Sequence, residues 1–187
     1  MLKIFSFFRN ETKNLVDVKN DSFSELEKPI ENYLFDEIKA SDYVKSSGCD
    51  TLIQHLTHKI NLFKDGNLLT NEEKKSLGLN VKMNISWEFV NLLTSDGLNL
   101  KNPKFITQDI YNRAWALKRR DDSFYQAIRV GVKKFTLNEC GDESECEWCK
   151  SVFGHEFDVS ILEIIKENCK CVPYSKAFIA PVIEFQK

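Results

Sequence analysis

Two cysteine pairs constrain this chain more than any other feature: Cys146-Glu147-Trp148-Cys149, and then, after nineteen residues, Cys169-Lys170-Cys171. Zinc is held by four deprotonated soft ligands at the corners of a tetrahedron, with Zn–S near 2.3 Å and neighbouring sulfurs about 3.8 Å apart. A CxxC turn brings two sulfurs together. In CxC, residues i and i+2 of an extended segment point to the same side, so that pair also converges. The pairs therefore predict a closed, structural zinc site of Cys146, Cys149, Cys169 and Cys171, with no position left for water. Buried cysteines without metal, a redox CxxC and disulfides are the competing readings. Redox chemistry of the thioredoxin kind needs the CxxC at the start of a long helix, and Glu143, Glu145 and Glu147 oppose a reactive thiolate. Cys140 and His155 are the two nearby residues that can stand in for one of the four. Cys149's distant relative in composition, Cys49, is expected at a helix boundary and carries no role.

The 187 residues are enough for one ordinary domain with a small appendage, and 42% hydrophobic with 29% charged residues is a globular balance. A formal charge of −2 rules out a global field that recruits nucleic acid or an anionic membrane. The apolar run of Leu2, Ile4, Phe5, Phe7 and Phe8 is too short for a signal peptide or a bilayer span; it reads as a core element, or else as an interfacial anchor. A reducing, cytoplasmic compartment is expected, where clustered cysteines serve as metal ligands or catalytic thiols.

Three regions emerge: an N-terminal arm over 1–24, a helical domain over 25–131, and a cysteine-rich zinc-binding module over 132–187. Ile30, Leu34 and Ile38 recur at helical spacing after Pro29. Asp50 is placed to cap a second helix carrying Leu52, Ile53, Leu56, Ile60 and Phe63, closed by Asp65-Gly66-Asn67. Thr70 and Glu73 form a capping box for a short helix ended by Gly78. A helix is expected from Ser86 to Asp96-Gly97. Beyond Thr107 the stripe of Ile110, Ala114 and Leu117, with Tyr111 and Trp115 beside it, predicts one helix, and Asp121 or Asp122 caps a second piece that runs to Gly131. Then VKKFTL alternates as a strand, SILEIIKEN reads as a helix, and AFIAPVIEF reads as an edge strand marked by Pro181. The strands near 132–139 and 178–185 are expected to pair. The fold class is α+β: a mainly helical N-terminal two-thirds with a small zinc-clamped α+β module at the C-terminus.

Other chemistries lack residues. No phosphate-cradling glycine loop, GxSxG elbow or HExxH helix is present. His55 falls at the edge of its helix's apolar face and His58 almost opposite, so a metal pair there is disfavoured against solvated histidines. Residues 113–134 hold Arg113, Lys118, Arg119, Arg120, Arg129, Lys133 and Lys134 against Asp121 and Asp122, whereas 139–147 holds five acids and no base. The acidic loop repels phosphate. The basic segment is a solvated face, a partner for that loop, or, in the alternative reading, the substrate surface of a nuclease that uses His155.

The order GVKKFTL (131–137), CEWC (146–149), Gly154 with Phe157, and NCKC (168–171) resembles the zinc-binding tail of Mu-type phage minor head, or head morphogenesis, proteins. In that family a strand leads to a CxxC, an extended piece after a glycine, and a closing Asn-Cys-Arg-Cys; here Ile165-Lys166-Glu167 stands where the family carries Pro and His. The resemblance implies a non-enzymatic interaction or assembly protein with a protein partner, virion association, and Cys146, Cys149, Cys169 and Cys171 as the metal ligands.

Overall fold

The computed structural model describes residues 28–141, 145–171 and 177–183. The expected arm over 1–24, with its apolar run, lies outside them. The elements in chain order are α1 (Ile30–Lys39), α2 (Cys49–Leu56), α3 (Asn71–Ser76), α4 (Trp87–Leu92), α5 (Ser95–Leu98), α6 (Lys104–Arg129), β1 (Phe135–Asn138), α7 (Glu147–Val152), β2 (Glu156–Phe157), α8 (Ile161–Asn168) and β3 (Phe178–Pro181). The class is α+β with a helical majority and one three-stranded antiparallel sheet, as expected. No helix among the described residues is long and apolar enough to cross a membrane.

Two apolar cores share one long helix. Leu34 and Ile38 of α1, Leu52 of α2, Phe89 of α4, and Ile106, Ile110 and Ala114 of α6 meet in the first. Phe124 near the far end of α6 joins Phe135, Leu137, Ile161, Leu162 and Ile165 in the second. Each such large side chain removed from water contributes about 1.5–3 kcal/mol. Because α6 is continuous over 26 residues, the expected break at Asp121 or Asp122 is corrected. Asp121 is buried within the helix and accepts from the Tyr33 hydroxyl (3.0 Å) and from Arg120 Nη2 (2.9 Å), so its oxygens serve tertiary partners rather than a helix start.

Three other boundaries move for local reasons. The 3₁₀ turn Ser46–Gly48 leads directly into α2, so Gly48 is its N-cap and Asp50 lies in its first turn. α2 stops at Leu56, because the Thr57 hydroxyl donates back to the Ile53 carbonyl (2.8 Å) and His58 adopts a left-handed φ of 62°; Ile60 and Phe63 pack on the core from the following loop. α4 leaves helical geometry at Leu93, and Asp96 and Gly97 lie inside α5, whose cap is Thr94.

Elsewhere the local chemistry and the structure agree. Thr70 Oγ1 accepts from the Glu73 N–H while Glu73 reaches back to the Thr70 N–H, forming the capping box. Ser86 caps α4 through Phe89 N–H. At the end of α6, Gly131 takes φ 90°, its N–H donates to Ile128 O and that of Val132 to Ala127 O, which is a Schellman close. This turns the chain into β1.

In the sheet the order is β2-β1-β3. β1 buries Phe135 and Leu137 and turns Thr136 and Asn138 outward. It pairs antiparallel with β3 in the register Phe135↔Pro181 to Asn138↔Phe178. Val182 N–H donates to Lys134 O. By the alternation of an antiparallel ladder, Pro181 then stands at a position whose missing N–H faces away from β1, which is why proline is tolerated on this edge.

Candidate metal centre

The four cysteines of the two pairs come together. Their sulfurs all lie within 4.8 Å of one another, and among the described residues they are the one cluster of metal-ligating side chains. Cys149 Sγ stands 3.6 Å from Cys169 Sγ and 3.7 Å from Cys171 Sγ, close to the ~3.8 Å edge of a zinc tetrathiolate. Different elements supply the two halves. Cys146 is the N-cap of α7 and Cys149 lies in its first turn, completely buried. Cys169 is the C-cap of α8, in an extended conformation at φ −73°, ψ 128°, and Cys171 follows two residues on. The cluster sits against the second core, where Trp148, Val152 and Phe153 pack beside it.

Backbone donors already point at the sulfurs. Cys146 N–H donates to Cys171 Sγ (3.2 Å), Lys170 N–H to Cys146 Sγ (3.3 Å) and Cys171 N–H to Cys169 Sγ (3.5 Å). Such contacts favour the thiolate over the thiol. At Cys146, burial opposes ionisation, but the N–H groups of Cys149 and Lys170, with the neighbouring thiols, more than offset it and bring the thiol down to about 6. Burial pushes Cys149 far up, helped by hydrogen bonds with Cys169, Cys171 and Cys146. Burial also raises Cys171, against the opposing N–H of Cys146. Four adjacent sulfurs do not all ionise unaided; a dication at their centre reverses that balance for the whole set.

The remaining candidates stand apart. Cys140 is exposed, and its N–H donates to Oε1 of the buried Glu145 (2.9 Å). His155 is exposed and outside the cluster. Cys49 is buried as the first residue of α2. His55 is held by local packing: its Nδ1 accepts from Leu62 N–H (3.3 Å), its ring meets Phe63 edge-on, and burial lowers its pKa. His58 lies beyond the helix end.

The basic segment is largely paired within the fold. Arg113 binds Glu37 (2.7 Å), Lys118 binds Asp122 (2.7 Å), Arg120 binds Asp121 and Lys134 binds Glu156 (3.2 Å). Sequence reasoning saw Glu145 only as an acid opposing a thiolate and missed its burial, and it missed the sulfur-directed N–H of Lys170, which depends on how the two cysteine segments face each other. Their only trace in the sequence is adjacency to the pairs.

Fold and site together define an α+β protein with a four-cysteine cluster of metal-binding geometry near its C-terminus. Comparison with protein-family models, curated proteins and solved structures gives no match for this chain.

Proposed function

We propose that Cys146, Cys149, Cys169 and Cys171 hold a structural Zn²⁺ and that the protein acts without catalysis, as a zinc-stabilised interaction or assembly protein. The supporting observation is the packing of four sulfurs within 4.8 Å of one another, half-ringed by backbone N–H donors and set against an apolar core. Four thiolates fill a tetrahedral ion, which leaves no open position for a substrate. The resemblance of the cysteine tail to phage minor head proteins supports assembly, with a protein as partner, as the role. Pairing of Arg113, Lys118 and Arg120 with carboxylates in the same fold speaks against the nuclease reading, since it takes those three cations away from a phosphate backbone.

Elemental analysis of the purified chain tests the reading. One equivalent of zinc per chain is expected, with none in the Cys169→Ser variant and a lower melting temperature for that variant. A metal-free wild type whose melting is unaffected by added zinc sinks it. Hydrolysis of DNA or RNA that is lost in His155→Ala points to the nuclease instead.

A further inference from the structure

Along α6, Tyr111, Asn112, Trp115, Ala116 and Arg119 line an open groove of about 300 Å³. Tyr111, Trp115 and Arg119 follow at four-residue steps and share one helix face. Two features set this face apart from the rest of the helix. The Trp115 indole N–H is buried with no acceptor, although an indole can only donate and normally finds a partner when buried. Arg119 lies over the Trp115 ring at 6.0 Å and makes no ion pair among the described residues, whereas Arg113, Lys118 and Arg120 around it are each matched with a carboxylate.

We propose that this groove docks an acidic peptide segment of a partner protein, with a carboxylate on the exposed Arg119 guanidinium and apolar side chains of the peptide against the Tyr111 and Trp115 rings. Charge decides the occupant. The groove lining holds one cation and no acid, and that cation has no carboxylate partner among the described residues. A guanidinium takes a carboxylate through two parallel bonds, and tryptophan, tyrosine and arginine dominate the energetics of protein contacts. A nucleic-acid strand needs a row of cations along its track, and the neighbouring cations are already paired. The proposal rests on the interaction role given above, not on the metal.

The test uses the full-length, ¹⁵N-labelled, zinc-replete protein, with its zinc content measured on the same sample. The Trp115 indole resonance is assigned with Trp115→Phe. A short peptide of alternating leucine and glutamate is expected to shift that resonance while leaving Trp87, whose N–H already donates to Glu73, in place. Its lysine counterpart is expected to do nothing. Arg119→Glu, at an exposed position, should weaken binding by at least about tenfold. No shift with the acidic peptide, a shift unaffected by Arg119→Glu, or a shift produced only by oligothymidylate or by raising the protein's own concentration overturns the proposal. Peptide binding together with a melting temperature unaffected by added zinc leaves this inference standing and removes the metal reading alone.

Discussion

The Tyr33 hydroxyl donates to Oδ2 of Asp121 at 3.0 Å across a sequence separation of 88 residues. Tyr33 belongs to the first core, and Asp121 lies on α6 one turn before Phe124 of the second. The bond therefore fixes α1 to the part of α6 that leads from one core to the other. Arg120 completes the carboxylate's partners, so the buried charge is both hydrogen-bonded and paired.

Tyr33→Phe removes the hydroxyl and leaves Asp121 with Arg120. A hydrogen bond to a charged group contributes about 1.5–3 kcal/mol, and a loss of that order is expected in urea denaturation. Asp121→Ala should cost more, since it strands both the phenol and the guanidinium. Equal or negligible losses for the two variants contradict the arrangement.

The same pair predicts alkaline lability. Burial, then the charge and hydrogen bond of Asp121, raise Tyr33 above the ordinary 10.0, and burial followed by Asp121 raises Tyr125. A folded state that keeps its phenol protons longer than the unfolded chain loses stability as pH climbs. The contribution is complete below pH 10 and declines above it. Urea midpoints should fall with pH from there upward, and Tyr33→Phe should flatten the slope.

Local chemistry was readable from the sequence, and distant partnership was not. The Thr70–Glu73 capping box, the Ser86 cap and the glycine close at Gly131 each depend on residues within a few positions. The CxxC and CxC pairs were legible for the same reason, since ligand type and spacing are local. Asp121-Asp122 looked like a helix start because a short carboxylate prefers a cap; only Tyr33, far away in the chain, makes an interior position favourable. Likewise, His55 at the edge of an apolar face was visible, whereas the Leu62 N–H that occupies its Nδ1 was not. The groove on α6 was half visible, as Tyr111 and Trp115 beside the stripe. The lack of an acceptor for the indole is a property of packing.

Gly97 is placed for space. A Cβ there would run into the Tyr43 carbonyl oxygen, a backbone atom that cannot rotate away. That carbonyl accepts from Thr94 N–H (3.0 Å), so displacing it disturbs the turn that seats α5. Gly97→Ala should cost about 1–3 kcal/mol, read from the thermal midpoint. Gly141→Ala, where nothing lies within 4 Å of the added carbon, carries the left-handed φ penalty alone and should cost less.

Cys140 and Cys149 should behave as opposites. Cys140 is exposed and engages the fold through its backbone N–H, so Cys140→Ser should shift stability by no more than about 0.5 kcal/mol and keep the full metal content. Cys149 is completely buried between Cys169 and Cys171. Cys149→Ser should abolish metal binding and open the second core, seen as rapid amide exchange in β1 and α8 with α1 and α2 still protected. Metal loss in Cys140→Ser would identify it as a ligand in place of one of the four.

Acid should reproduce the Cys149 phenotype in the wild type. Bound zinc holds its thiolates well below their free pKa, so protons compete with the metal and the metal's contribution falls as pH falls. Lowering pH in the presence of a chelator should release zinc and loosen the second core first. The first core has no part in the cluster. Its α1–α6 packing and the Tyr33–Asp121 bond should outlast the cluster. Two transitions on acid titration, with Trp148 beside the cluster reporting the first and zinc release coincident with it, are the expected result. A single transition in which zinc leaves only as α1 and α2 unfold would mean that the two cores do not separate and that the cluster is not a local clamp.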